Sequence, residues 1–453
     1  MGKRQHGLVM AFPLQGHVKP LLRLAYRIAD HGIKVTFVTT QSIHDQITAA
    51  NSLASRETSV ALACIPDLPE SEDAKGSDGL DRLGRFLRGC LKDLIEKINE
   101  SESEEKASFV IADATVGWVL EVPKEMGIKH VAVWPGGPGC PVLLRHIPKL
   151  IEAGFIDKDG IALRSDMFRV SVNIPPWGSN EFSWRCPDQI EKEKITFRLF
   201  QTIKQATELP SWLLCNTFHE LHPEISRFVP NLLPIGPLLD SKKHNNCNGS
   251  LHLEDKSSLN WLDGLRPRSV VYVSFGSIAK FTQQQFDELA LGLELSGRLF
   301  LWVVRPDTIS ESTVKYPNGF KERMSGLGRI VEWAPQEEVL AHPSIACFFT
   351  HCGWNSVMEG LTAGVPFLCL PYFTDQFHNR NFICDNWKVG LKLNSDDKEI
   401  ISRYDIKTKI DQLLMDRNIK ENALKLKEMA CRSISEGGSS SKNFETFIKF
   451  IEG

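Results

Sequence analysis

At 453 residues the chain is too long for one ordinary domain and fits two of roughly 200 residues each. It is 42% hydrophobic and 24% charged with a formal net charge of −3, which leaves no basic footprint for nucleic acid. Eleven cysteines, an odd number that includes Cys215, Cys347 and Cys369 inside apolar runs, point to reduced thiols in the cytoplasm and away from a disulfide framework.

The first six residues lead straight into an apolar run, Gly7 to Phe12, so no secretory leader is expected. No apolar run approaches the ~20 residues that span a bilayer. After a turn at Phe12 to His17, apolar residues at helical spacing run from Pro20 and stop at Gly32, and Lys34 to Thr39 is the next strand. This strand–turn–helix–strand unit opens a doubly wound sheet. The turn carries no Gly-x-Gly-x-x-Gly run, which disfavours a dinucleotide cofactor. His17 lies in that first connection, and Asp113 closes the buried run Phe109 to Ala112. Two strand ends of one sheet can meet, so an imidazole oriented by a carboxylate is geometrically open.

Glu100 to Glu105 reads as a solvated loop, and Val131 to Trp134 is a further strand. Asp157-Lys158-Asp159 is formally an Asp-x-Asp, but Gly160 follows it in a polar segment, so it reads as a surface turn. No Cys/His cluster has zinc spacing, and no metal is expected. Ile174 to Cys186 (IPPWGSNEFSWRC) is aromatic and irregular, suited to lining an apolar pocket. Trp212 to Asn216 and Leu233 to Pro237 complete a first domain, residues 1–237. Leu238 to Lys256, with the sequon Asn248-Gly249-Ser250, reads as a linker. Residues 257–437 form the second domain, its sheet opened by Trp261 to Leu265 and then Ser269 to Ser274. A helix at Gln283 to Leu295 and strands at Leu299 to Val304 and Arg329 to Glu332 follow. The final helix, within 438–453, is expected to return to the first domain.

The densest chemistry lies between Trp333 and Gln376. Ala346 to Thr350 and Pro366 to Leu370 are short buried strands, and a helix starts at Trp354. Polar residues thus gather where strands end and helices begin, the edge at which open parallel sheets bind ligands. A helix start there points N–H groups and partial positive charge at an anion, and His351, Asn355 and Ser356 add donors. Glu359 can accept from a vicinal diol such as ribose. Trp333 offers a flat face to a base, Gln336 can serve base or sugar, and Asp375 with Gln376 can bind several sugar hydroxyls.

This stretch resembles the signature box of the plant secondary-product glycosyltransferases, the UDP-dependent family 1 enzymes. IPP-x-x-x-x-x-FSW and FLCLPYFTDQF place the resemblance nearest the group numbered 83A. It implies a GT-B type α/β fold: two Rossmann-like, doubly wound domains facing across a cleft, the first binding acceptor and the second a UDP-sugar. It implies His17 as general base with Asp113 as its partner, and adds Ser277, Ala334 and Gly353 to the donor residues. Gln376 at the end of the box implies glucose. Pro135 stands where many relatives carry a Thr that reaches the sugar.

The implied activity is inverting, metal-independent transfer of glucose from UDP-glucose, a co-substrate, to a hydroxyl, nitrogen, sulfur or carbon of a hydrophobic acceptor. The enzyme is expected to act as a cytoplasmic monomer without membrane span. Phe12, Trp118, Phe182, Trp184 and Phe377, with Gly16, are the acceptor candidates. They favour a phenolic or flavonoid over a terpenoid or steroid. A sugar-nucleotide epimerase of the same two-domain shell and a silent binding module are the alternatives; the second would lack the His17–Asp113 pair.

Overall fold

The computed structural model describes residues 5–51, 59–67, 79–101, 106–186, 189–239, 257–309, 314–395 and 400–453. Most of the expected linker, its sequon and most of the Glu100–Glu105 run lie outside them. The chain forms two α/β units. One comprises Met1–Phe168, Trp177–His252 and Ser433–Gly453; the other comprises Arg169–Pro176 and Leu253–Arg432.

The first unit is built on a parallel sheet of seven strands: β1 (His6–Met10), β2 (Lys34–Thr40), β3 (Val60–Ile65), β4 (Ala107–Asp113), β5 (Lys129–Trp134), β6 (Leu213–Cys215) and β7 (Leu232–Pro234), in the order β3-β2-β1-β4-β5-β6-β7. Strands buried on both faces read as continuous apolar runs, which is why β1, β2, β4 and β5 are legible in the sequence. β3 (VALACI) is apolar throughout too, but it lies at the sheet edge with several partly exposed positions and was passed over. Gly7 is required where β1 meets β4. A Cβ there would lie 2.0 Å from the Phe109 ring.

Helix α1 (Gln15–Ala29) starts five residues before the expected Pro20. Gly16 and His17 therefore stand in its first turn, not in a loop. The residue types misled because the first turn needs no intrahelical N–H bonds, so Gly and other turn formers fit it as well as a loop. Val18, Leu21, Leu22, Ala25 and Ile28 then bury one face of the helix.

The second unit has six parallel strands: β8 (Val270–Ser274), β9 (Leu299–Val303), β10 (Gly328–Val331), β11 (Ile345–Thr350), β12 (Phe367–Cys369) and β13 (Gly390–Lys392), ordered β10-β9-β8-β11-β12-β13. Trp261 belongs to a helix, Ser257–Asp263, and not to the start of the sheet. Two helices carry the polar box, α2 (Trp354–Ala363) and α3 (Gln376–Asn381). The short excursion 169–176 groups with this unit: His378 Nε2 bonds the Pro175 carbonyl at 3.0 Å, and Asn386 Nδ2 donates to that of Asn173 at 3.0 Å.

The last helix, α4 (Ser439–Glu452), belongs to the first unit and inserts Phe444, Phe447, Ile448 and Ile451 into its core. Lys129 Nζ donates to the Phe450 carbonyl at 2.9 Å, Asn443 Nδ2 to that of Pro234 at 2.8 Å, and the Arg27 guanidinium lies 3.9 Å from the Phe444 ring centre. Phe447→Ala should therefore destabilise the first unit by about 3–5 kcal/mol while leaving binding of UDP intact. Denaturant titration paired with UDP calorimetry reads both, and a variant unfolding at the wild-type midpoint would show that α4 is dispensable.

Candidate active site

In the first unit the carboxyl end of β4 and the first turn of α1 bring two predicted residues into contact. His17 Nδ1 lies 2.7 Å from Asp113 Oδ2. The second oxygen, Oδ1, accepts the Thr115 N–H at 2.8 Å. Asp113 is fully buried, while a quarter of the His17 side chain is exposed (24%). In the neutral ring, the tautomer that donates Nδ1–H to this carboxylate leaves Nε2 unprotonated and able to accept a proton. Phe12 packs edge-on to the imidazole, ring centres 5.3 Å apart. This is the geometry of a base oriented by a buried carboxylate.

In the second unit the box residues are tied into three hydrogen-bonded groups. Gln336, at the start of a short helix after β10, donates to Ser356 Oγ at 2.8 Å and Glu359 Oε2 at 2.7 Å, and accepts from the Tyr272 hydroxyl at 3.2 Å. Asn379 links the two helix starts: its Nδ2 donates to the Cys352 carbonyl and to Asp375 Oδ2, both at 3.0 Å. Sequence reasoning missed Tyr272 and Asn379; the partner of the first lies 64 residues away, and the second also bonds Cys352, 27 residues away. Gln376 uses its Oε1 to accept the N–H groups of Tyr372 (2.8 Å) and Phe373 (3.2 Å). Its NH2 is then what it can offer a sugar hydroxyl.

His351 follows β11 and is wedged against two glycines. A Cβ on Gly276 would stand 2.5 Å from its Nε2, and one on Gly353 would stand 2.4 Å away. Gly276 also has φ +72, a conformation L side chains avoid. The ring keeps a solvent-facing edge yet is otherwise enclosed, and this burial, aided by the nearby Arg305 charge, lowers its pKa to about 4. It is a neutral imidazole at physiological pH. Cys352 (φ 64) and Thr374 (φ 52) adopt left-handed backbone, strain that concentrates at ligand-binding turns.

The remaining donor candidates sit along the same edge. Ser277 is half-buried in the loop after β8. Trp333 is half-buried and Ala334 buried between β10 and the next helix, and Asn355 is half-buried in the first turn of α2. Trp354 is only 3% exposed, so its indole packs in the interior and only its backbone marks the helix start.

The acceptor candidates divide. Gly16 stands in the first turn of α1 beside His17, and Phe377 is half-buried on α3 with Arg380 5.8 Å from its ring centre. Trp118 is buried beside Gly84, its Nε1 without a hydrogen-bond partner among the described residues. Phe182 and Trp184 are instead core residues. Their rings stack at 5.2 Å, Trp184 Nε1 donates to the Gly160 carbonyl at 2.9 Å, and Phe197 closes against Trp184 at 5.0 Å. Aromatic content alone could not separate lining from packing. Asp157 takes the N–H groups of Asp159 and Ile161 on Oδ1, each at 2.9 Å, the capped turn expected of that segment. Among the described residues no cluster of three His, Cys, Asp or Glu could hold a metal, and no helix is long and apolar enough to cross a membrane.

Two buried histidines fix the acid limit of this unit. Burial also lowers His378 to about 3. Unfolded, each returns toward 6.5, so between that pH and about 4 the unfolded chain binds more protons. Stability is full above 6.5 and falls as pH drops, to about 4 for the His351 contribution and to about 3 for that of His378. His378→Gln should melt closer to wild type, or above it, as pH falls; parallel Tm-against-pH curves would remove His378 as a source.

The family model described as UDP-glucoronosyl and UDP-glucosyl transferase matches residues 195–431. UDP-glycosyltransferase 83A1 of Arabidopsis thaliana is 36% identical over 464 residues, covering 99% of this chain and 97% of its own. Os79 from O. sativa, solved in complex with UDP, superposes with a TM-score of 0.81 at 26% identity, over 98% of this chain and 100% of its own. UGT2 of Phytolacca americana, solved with UDP-2fluoro-glucose and pterostilbene, gives 0.83 at 25%, over 99% and 100%. With its two parallel Rossmann-type sheets and its box at their strand ends, the chain belongs to the UDP-glycosyltransferases of the GT-B fold.

Proposed function

We propose that this glycosyltransferase moves glucose from UDP-glucose to a hydroxyl of a hydrophobic small molecule, a phenol or flavonoid, with inversion and without a metal. The observation that carries the reading is the 2.7 Å contact between His17 Nδ1 and Asp113 Oδ2. An alcohol or phenol is a poor nucleophile until its proton leaves. His17 Nε2 takes that proton as the acceptor oxygen forms its bond to the anomeric carbon. The bond from that carbon to the diphosphate oxygen breaks, and UDP departs with the electron pair. Attack opposite the leaving group inverts the centre. Asp113 stabilises the imidazolium that forms, as a buried carboxylate does in a hydrolase triad.

The donor half of the proposal rests on the second unit. The start of α2, Ser277, Asn355 and Ser356 present fixed donors to the diphosphate, a role that positive charge fills in other transferases. Neutral His351, its N–H held by the Ser274 backbone, walls the same edge. Glu359, already tied to Gln336, can accept from the ribose, with Trp333 under the base. Asp375 and the Gln376 NH2 can reach glucose hydroxyls. The Phytolacca relative holding pterostilbene, an aromatic phenol, supports the acceptor class, as does Phe12 beside His17. The 1–237, 238–256 and 257–437 division, the cytoplasmic site and the monomeric state belong to the same proposal.

The base is tested by His17→Ala. It should lose about 10²- to 10⁴-fold in kcat/KM on a simple alcohol yet bind UDP as wild type does. Asp113→Asn should lose less, and both losses should shrink for acidic phenols. Near-normal turnover of His17→Ala on an alcohol would remove the base.

The donor is tested by competition among UDP-sugars. UDP-glucose should win in the wild type, and Gln376→Ala should cut kcat/KM by about tenfold or more, the loss of one buried hydrogen bond. Incubation with EDTA should change neither rate. Preference for UDP-galactose, or abolition by EDTA, would overturn the donor or the metal-free mechanism respectively.

A further inference from the structure

Arg305 lies two residues beyond β9 and is only 8% exposed. β9, β8 and β11 are adjacent in the sheet, so Arg305, the 275–281 loop and His351 leave three neighbouring strand ends. The guanidinium donates through Nη1 to the Ser277 carbonyl and through Nη2 to that of Ala279, the latter at 2.7 Å. A second lacing runs between the same segments: the Phe281 N–H donates to the Thr308 carbonyl at 2.8 Å, and the Thr308 N–H to that of Arg305 at 3.1 Å. The carboxylate paired with Arg305 is Asp307, 3.7 Å away and 60% exposed. Solvent screens such a partner heavily. A buried cation whose ion pair is that weak gains most from an anion arriving at its side.

We propose that Arg305 is a positioning residue for the donor diphosphate. It clamps the Ser277–Ala279 turn by two carbonyls and supplies buried positive charge at the edge where the diphosphate docks. The proposal rests on the donor reading above and sharpens it. By holding those two carbonyl oxygens, the guanidinium neutralises acceptors that would repel phosphate oxygens. Its planar fork meets two carbonyls at once, which a lysine ammonium on a flexible stem cannot match. Burial first and the same charge second disfavour protonation of His351, so the ring beside that turn stays neutral.

UDP and uridine separate this role from plain bracing, because uridine lacks the phosphates. Their affinities for wild type, Arg305→Met and Arg305→Lys can be read by ligand-observed NMR and calorimetry, with thermal melts to confirm folding. Arg305→Met should weaken UDP by about tenfold or more while moving uridine by no more than about twofold. Arg305→Lys keeps charge but loses the clamp, so its UDP loss should be smaller and again spare uridine. In both variants kcat should fall more than KM rises, since negative charge on the departing diphosphate grows in the transition state. A folded variant that weakens UDP and uridine equally, or neither, overturns the proposal. If Arg305→Met does not fold, the UDP-to-uridine ratio of Arg305→Lys decides alone. Failure of wild type to bind UDP would instead remove the donor reading itself.

Discussion

A parallel sheet delivers every strand's carboxyl end to the same edge, and in both units the chemistry depends on that constraint. Ser274, Val303 and Thr350 end neighbouring strands β8, β9 and β11. The residues just beyond them are therefore packed together however far apart they lie in the chain. The same holds for Met10 and Asp113, which end the neighbouring strands β1 and β4 in the first unit, Met10 pairing with Ala112. Nothing else places an imidazole from the first α-helix on a carboxylate 96 residues away. The polar groups cluster because the apolar strands beneath them have no other way to pair.

Within that edge the finer geometry is set by the absence of side chains. His351 occupies space that Cβ atoms on Gly276 and Gly353 would fill, so ring and glycines specify one another. Cys352 adds left-handed backbone directly before Gly353, the N-cap of α2. Asn379 holds the Cys352 carbonyl in place. The turn is consequently over-determined, which is what keeps a strained conformation populated. The result is a strand-end surface whose dipoles are held in fixed positions, the kind of arrangement that gives electrostatic stabilisation its leverage.

Residues that act by type and local spacing were legible in the sequence; residues that act by long-range bonding were not. Trp354-Asn355-Ser356 and Glu359 announce a helix start with an acceptor one turn on, and the structure puts them there. Apolar continuity likewise exposed β1, β2, β4 and β11. The three-residue edge strand β13 lacks that continuity and was missed, as was edge strand β3 although it is apolar throughout. Gly16 and His17 looked like a loop because a first helical turn tolerates loop chemistry. Phe182 and Trp184 looked like pocket lining because an aromatic run reads alike whether a ligand or Phe197 covers it. Arg305 gave no signal at all, since its partners are main-chain carbonyls 26 and 28 residues upstream.

The placement of α4 bears on how the protein is made. The first unit contains the chain's opening strands, yet Phe444, Phe447, Ile448 and Ile451 fill its core. On the ribosome, that sheet must wait with an apolar groove open until the final helix emerges from the exit tunnel. The second unit, whose segments beyond the 169–176 excursion run from Leu253 to Arg432, has all its strands synthesised by then. Order of translation and order of completion are thus reversed, and the nascent first unit is the part of the chain that most needs shielding by a chaperone.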